Sequence, residues 1–473
     1  MELKQNVEIK SEQGEKKYTS SLIILTSLFF MWGFITCLND ILIPYLKGVF
    51  ALTHFQANLV QFAFFGAYFI GSLIYFLLSL LIGDPISRIG YKNGILVGLF
   101  ISAVACFLFY PAANVFHSFG VFLGALFLLG LGFTVLQIAA NPYVAILGSS
   151  ETASSRLNLS QAFNSFGTTI APVLGGYFIF EYFVTANSDG ASSVKIPYLV
   201  LGSVLILIMV MIKFAKLPVF KSSDLIEKSA GALKFPNLSF GMFAIFFYVG
   251  AEVSIGSNFV SFLKLPEIAG LKEGDASNYL AYYWGGAMIG RFLGAISLSK
   301  IEKGKKYVLM FLLAAATFVL IYFITFYMKG LKFEQVWYYL IFIALNYLVF
   351  VLGKSIPSRT LALFSIAALV LLITAIFTQG KVSMWCMLSI GLFNSIMWSN
   401  IFTLAIDGLG KFTSQGSSLL VMMILGGALL PPLQGLLADK FGVQISFFVP
   451  VVSYLYLIFY GWKGYKHKVR LEI

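Results

Sequence analysis

The chain has 473 residues, 59% of them hydrophobic and only 11% charged, with a mean hydropathy of +0.89. Soluble domains carry roughly 25% charged residues, so a water-soluble globular class is excluded and a polytopic membrane protein is implied. The net charge of +12 sits mostly in the joints between apolar runs, as topology and anionic lipid require, and points to no nucleic-acid partner.

The first residues, MELKQNVEIKSEQGEKKYTS, mix acids with bases and precede no small-residue cleavage site, so residues 1–19 read as a cytoplasmic tail and not a signal peptide. A helix needs about 20 apolar residues to cross the hydrocarbon core. Spans are predicted at 20–46, 56–82, 94–113, 117–147, 157–183 and 197–216, a six-helix half over 20–216. A charged joint, 217–236, follows. The second half, 237–462, offers spans at 237–265, 276–299, 306–328, 336–353, 359–379, 383–408, 414–438 and 443–462, and 463–473 is a tail. An all-α bundle of about 14 transmembrane helices is expected, because helices satisfy their own backbone in lipid. Lys and Arg place both termini in the cytoplasm. Cys37, Cys106 and Cys386 fall inside spans as small hydrophobes, and no disulfide framework is implied.

The chain repeats itself. Asn141, Gly167, Pro172 and Gly176 recur 259 residues on as Asn400, Gly426, Pro431 and Gly435; Gly33, Leu46 and Lys47 recur 217 on as Gly250, Leu263 and Lys264. Two pseudo-symmetric halves in parallel orientation are the arrangement of secondary transporters with a central site. Six helices against eight leaves an extra two-helix hairpin, at either 306–353 or 336–379.

Polar residues inside apolar runs are the candidates for function. Asp40, in CLNDILIP, is an acid within the first span, where a charge is expensive to keep; Asn39 precedes it. Gln137 and Asn141 lie four apart, on one helical face. Asn158, Gln161 and either Asn164 or Ser165 form a stripe. Glu252 is the other intramembrane acid, followed by Asn258, and a later span adds Asn394, Trp398 and Asn400. Amides both donate and accept, as a sugar's hydroxyls require, while Trp32, Tyr68, Trp284 and Trp398 offer rings for a pyranose face. The competing reading is structural: amides also bond neighbouring helices, and Trp anchors interfaces. His54, His117 and His467 lie at span ends or in the tail, and no metal site is expected.

The segments CLNDILIPYLKG, AANPYVAILG, SSRLNLSQAFNSFGTTIAP, SNIFTLAIDGLG and TSQGSSLLVMMILGGALLPPLQGLLAD resemble the fucose, galactose and glucose symporter branch of the major facilitator superfamily, nearest to its glucose/galactose transporters. The likeness covers nearly the whole chain apart from the tails and the hairpin. It implies the major facilitator fold and import of a monosaccharide across the cell inner membrane by alternating access. Import is driven by a co-transported proton or sodium ion, with no cofactor, and a monomer is expected. The resemblance gives Asp40 the cation-coupling role and Gln161 and Asn164 sugar contacts. In fucose transporters a glutamate stands two residues before AANP, where this chain has Gln137, which cannot titrate. Glucose/galactose members share GAEVSIG, so Glu252 joins the substrate set with Asn39, Gln137, Asn141, Asn258, Asn394 and Trp398.

The joint Gly83-Asp84-Pro85-Ile86-Ser87-Arg88-Ile89-Gly90-Tyr91-Lys92 is similar in spacing to the superfamily's loop motif, with Ser87 at the acid's place and Tyr91 at one base's. Gly83, Arg88 and Gly90 are expected to form a gating latch, with Arg291 at the matching place in the second half; an ordinary positively charged loop is the alternative. Alternative functions are symport of fucose or an N-acetylhexosamine, or export of amphiphilic compounds. The recurring amides argue against an exporter's apolar cavity, the lack of a sizeable soluble domain argues against a receptor, and no nucleophile–base pair or phosphate-cradling loop suggests an enzyme.

Overall fold

The computed structural model describes residues 19–50, 54–176, 195–218 and 229–466. The tails 1–18 and 467–473, the end of the 157–183 span and residues 219–228 of the 217–236 joint lie outside the described residues. Among the described residues the fold is all helical, with no strand. The first half contains α1 (Thr19–Val49), α2 (His54–Ile82), the short α3 (Pro85–Ile89), α4 (Tyr91–Pro111), α5 (Phe119–Ile146), α6 (Ala153–Gly176) and α7 (Lys195–Phe214). The second contains α8 (Pro236–Leu263), α9 (Glu273–Ser297), α10 (Lys303–Lys329), α11 (Tyr339–Gly353), α12 (Pro357–Phe377), α13 (Gly380–Asn394), α14 (Met397–Ile406), α15 (Thr413–Met422), α16 (Gly426–Phe441) and α17 (Phe448–Trp462).

Local chemistry sets the ends. Pro236 and Pro357 open α8 and α12 at positions that need no amide donor. Gly330, at φ 68°, closes α10 in the left-handed region that glycine enters without strain.

Among the described residues, 11 segments are long and apolar enough to cross a membrane. Two further long helices, α6 and α9, fall short because their polar stripes dilute them, and α11 is a shorter apolar helix of 15 residues. The chain is therefore a multi-pass membrane protein.

The helices form two compact units. One comprises Met1–Ser150, Phe166–Ala232 and Leu409–Met422; the other comprises Glu151–Ser165, Leu233–Gly408 and Met423–Ile473. The units thus interleave along the chain: α6 divides between them at Ser165 and Phe166, while α15 belongs with the first and α16 with the second. The exchanged segments, Glu151–Ser165 and Leu409–Met422, occupy nearly the same place in the two repeats.

The units are built alike. In the first, α4 packs on α5 and α7, and α2 packs on α5; in the second, α12 packs on α13 and α17, and α9 packs on α13. The repeat is visible at single glycines. A Cβ on Gly167 would overlap the carbonyl oxygen of Phe30 on α1, and a Cβ on its counterpart Gly426 would overlap that of Phe246 on α8. Both helix pairs approach so closely that only a residue without a side chain fits.

By this packing α12 resembles α4, while α10 lies against α9 and α11 against α12. They are bonded to the body of their unit: Tyr339 donates to the Tyr282 carbonyl at 2.7 Å, and the Asn346 amide to the Leu392 carbonyl at 3.0 Å. At the base, the Lys306 ammonium donates to the carbonyls of Ser297 and Ser299 at 3.1 and 2.7 Å and to the Ser355 hydroxyl at 3.0 Å.

Candidate functional site

In the first unit, α5 carries Gln137 and Asn141 one turn apart, both buried. Gln137 joins Trp32 of α1 and Tyr68 of α2 in a hydrogen-bonded cluster centred on the Tyr68 hydroxyl, so two of the rings singled out from sequence gather around the amide. Asn141 is fully buried, yet neither its amide nitrogen nor its oxygen has a hydrogen-bond partner among the described residues. Leaving such a group unpaired costs about 1–3 kcal/mol, which marks Asn141 as a position where something other than packing sets the residue type. Asn39 and Asp40 fall within α1; their side chains lie outside the described part.

In the second unit, Glu252 on α8 and Arg291 on α9 form an ion pair, 3.8 Å apart, with side chains only 12% and 14% exposed. Tyr248, one turn before Glu252, donates to its carboxylate at 2.9 Å. Arg291 also donates from Nε to the Ser395 carbonyl at 3.2 Å and from a terminal nitrogen to the Ser165 hydroxyl of α6. The Ser395 carbonyl is available because the helix breaks between α13 and α14, at Ser395 and Ile396. Interrupted membrane helices commonly expose such backbone groups at transport sites. Gly290 allows the approach, since a Cβ there would overlap Ser395.

Arg291 stands inside α9, two turns before the helix ends at Ser297, within the span expected at 276–299. The physical reason is its partner: a guanidinium in a membrane helix needs a counter-charge, and Glu252 supplies it.

The remaining predicted residues separate into groups. Asn394 is saturated by Tyr283, to which it donates at 3.0 Å, and by Tyr454, which donates to it at 2.7 Å; Tyr283 in turn donates to the Glu252 carbonyl at 3.0 Å. Asn394 is therefore brought to the site as the brace of α8. Asn258 donates back to the Ser254 carbonyl of its own helix at 3.0 Å. Trp398 stacks near Phe402 with its indole N–H buried and unpartnered among the described residues. Gln161 is buried on α6, and Asn164 is half-buried one turn further on.

Asn158 pairs with Asn400 at 3.3 Å, and Ser154 with Thr403 at 2.6 Å. These bonds, with Ser155 donating to the Ala295 carbonyl, hold the first half of α6 in the second unit. The equivalent pair 259 residues away in the repeat is Asn141 and Ser417, and both are buried without partners among the described residues.

The Gly83–Lys92 joint holds the residue that motif spacing overlooked. Asp84 is the buried acid of this joint: it caps α3 by accepting from the amides of Ile86 and Ser87 at 3.1 and 3.4 Å, and it also accepts from the hydroxyls of Tyr75 and Ser414. Ser414 opens α15, so the carboxylate also lies at a helix N-terminus, where negative charge is favoured. The signal was present as Asp-Pro, an N-cap followed by proline at the first helical position. Gly83 and Gly90, at φ 83° and 84°, make the bends on either side. Arg88 donates to the Ile82 carbonyl, and Lys92 donates to the carbonyls of Lys213 and Ala215 at the end of α7, at 2.8 and 2.9 Å.

Residues 23–357 match the sequence model of the Major Facilitator Superfamily. The chain belongs to this superfamily. It is 43% identical to a glucose/galactose transporter of Brucella abortus, over 96% of each chain. It is 38% identical to a putative glucose/galactose transporter of Helicobacter pylori, over 95% of this chain and 98% of that one. The crystal structure of the Escherichia coli fucose:proton symporter superposes with a TM-score of 0.72 at 28% identity, covering 94% of this chain and 98% of the other.

Proposed function

We propose that the protein imports a glucose/galactose-type hexose across the cell inner membrane together with a proton, by alternating access, and needs no cofactor. The observation that carries this reading is the 43% identity to a glucose/galactose transporter over 96% of both chains. The proton is favoured over sodium by the likeness to a proton symporter. Alternating access between a half at 20–216 and a half at 237–462, monomeric and with both termini cytoplasmic, completes the reading. Fourteen spans are proposed, with α10 and α11 as the inserted hairpin, in agreement with the 306–353 alternative. The amides bind hydroxyls and Asp40 takes the proton.

Linkage is the mechanism. A proton at Asp40 removes a charge that is costly in a closing cavity, and the sugar saturates the Asn141 amide, which is unpaired among the described residues; the fully loaded or fully empty carrier then exchanges conformations. A wrong epimer leaves polar groups unpaired in a dry site and is rejected.

The test is counterflow of radiolabelled hexoses in proteoliposomes, with imposed proton or sodium gradients, for wild type and Asp40→Asn. Wild type is expected to concentrate glucose or galactose under a proton gradient, whereas Asp40→Asn exchanges sugar without accumulating it. Accumulation by the variant would remove Asp40 from the coupling role, and counterflow of no hexose by wild type would overturn the hexose reading itself.

A further inference from the structure

The ion pair in the second unit has a property that a purely structural salt bridge lacks: it is unfinished. At 3.8 Å, the Arg291 nitrogen and Glu252 oxygen stand beyond the 2.7–2.9 Å of a charge-assisted hydrogen bond. A carboxylate accepts about four hydrogen bonds and a guanidinium donates five. Among the described residues Glu252 takes one side-chain donor, Tyr248, and Arg291 donates to the Ser395 carbonyl and the Ser165 hydroxyl and also meets the Tyr248 hydroxyl, which leaves part of its donor capacity unused. Acceptor and donor capacity thus remain side by side, partly accessible, on a wall whose backbone is braced by Tyr283.

We propose that Glu252 and Arg291 together form a charge-balanced clamp for one or two hydroxyls of the transported sugar, with Arg291 the specificity-determining residue. This rests on the hexose reading above. A neutral polyol suits a neutral pair: one hydroxyl donates to the carboxylate, the same or a neighbouring hydroxyl accepts from the guanidinium, and no net charge is buried with it. Because Arg291 also holds Ser165 of α6, a hydroxyl that draws the guanidinium alters a bond between α9 and α6 within the second unit.

The experiment measures half-saturation and maximal rate of counterflow in proteoliposomes for glucose, galactose and the monodeoxyglucoses. The proteins are wild type, Arg291→Lys, Arg291→Gln and the double variant Glu252→Gln with Arg291→Gln, each with its melting temperature in detergent. One deoxy sugar is expected to lose at least tenfold in half-saturation against wild type, and to lose little further against Arg291→Gln, because the clamped hydroxyl no longer has its partner; Arg291→Lys should recover part of the discrimination. The double variant, which leaves no unpaired charge, should recover melting temperature but not half-saturation. If every deoxy sugar loses the same factor in wild type and in Arg291→Gln, or if the double variant recovers wild-type half-saturation, the pair is structural and the proposal is overturned. Wild-type failure to move any hexose would overturn the hexose reading, a result distinguishable from failure of the clamp.

Discussion

Asp84 and Asn141 show two opposite conditions of a buried polar residue. Asp84 serves four donors at once, so Asp84→Ala strands the Tyr75 and Ser414 hydroxyls and should destabilise the fold by about 1–3 kcal/mol. Ser87→Ala should stay within about 0.5 kcal/mol, since the Ser87 hydroxyl has no bond among the described residues. Thermal unfolding in detergent compares the two, and a larger effect at Ser87 would return the latch to the motif's own acid position. Asn141 bonds nothing among the described residues, and exchanging an unpaired amide for an apolar group of like shape can be neutral or stabilising. Asn141→Leu should therefore keep or raise the melting temperature while lowering sugar counterflow at least tenfold. Unchanged counterflow would take Asn141 out of the substrate set. Both residues were visible in the sequence as polar letters in or beside apolar runs; their opposite roles were not, because satisfaction is a property of the neighbours.

At the scale of elements, spans were readable from apolar length, and repeat partners from fixed offsets of glycine, proline and asparagine. The offset acquired a physical cause in Gly167 and Gly426, each meeting a partner helix's carbonyl. Which of two hairpins lacked a counterpart was not readable, since 306–328, 336–353 and 359–379 are all plain apolar runs. The proposed choice of 306–353 is supported by packing, with α12 and not α10 lying against α13 and α17. Lys306 ties the base of α10 to the end of α9 and to Ser355, so Lys306→Met leaves carbonyls near the α9 terminus unpaired. It is expected to lower stability by about 1–3 kcal/mol, read as a fall in melting temperature, with sugar half-saturation unchanged. A changed half-saturation at full stability would give the hairpin a part in transport that its position does not suggest. The break between α13 and α14 was equally hidden: nothing in NSIM announces it, and its consequence, a carbonyl for Arg291, exists only once α9 lies alongside.

For the molecule as a whole, the first half of α6 is bonded within the second unit, and a contact there tests whether α6 and α14 keep their packing through the transport cycle. Ser154 and Thr403 touch at 2.6 Å. Replacing both by cysteine should allow an oxidant to stop counterflow and a reductant to restore it, while either single cysteine is insensitive. Full activity of the oxidised, cross-linked pair would show that this contact stays closed throughout the cycle.

Composition and apolar periodicity by themselves determined the membrane class, the helical fold and the approximate spans, because the bilayer imposes length and backbone satisfaction on every segment independently of its neighbours. Local motifs were specific enough to place the chain in its superfamily branch. Tertiary structure alone decided that Arg291 answers Glu252, that Asp84 takes the hydroxyls of Tyr75 and Ser414, and that Asn394 braces the wall. Charge pairing and hydrogen-bond satisfaction depend on distances between helices that are far apart in the chain, and no reading of one segment contains them.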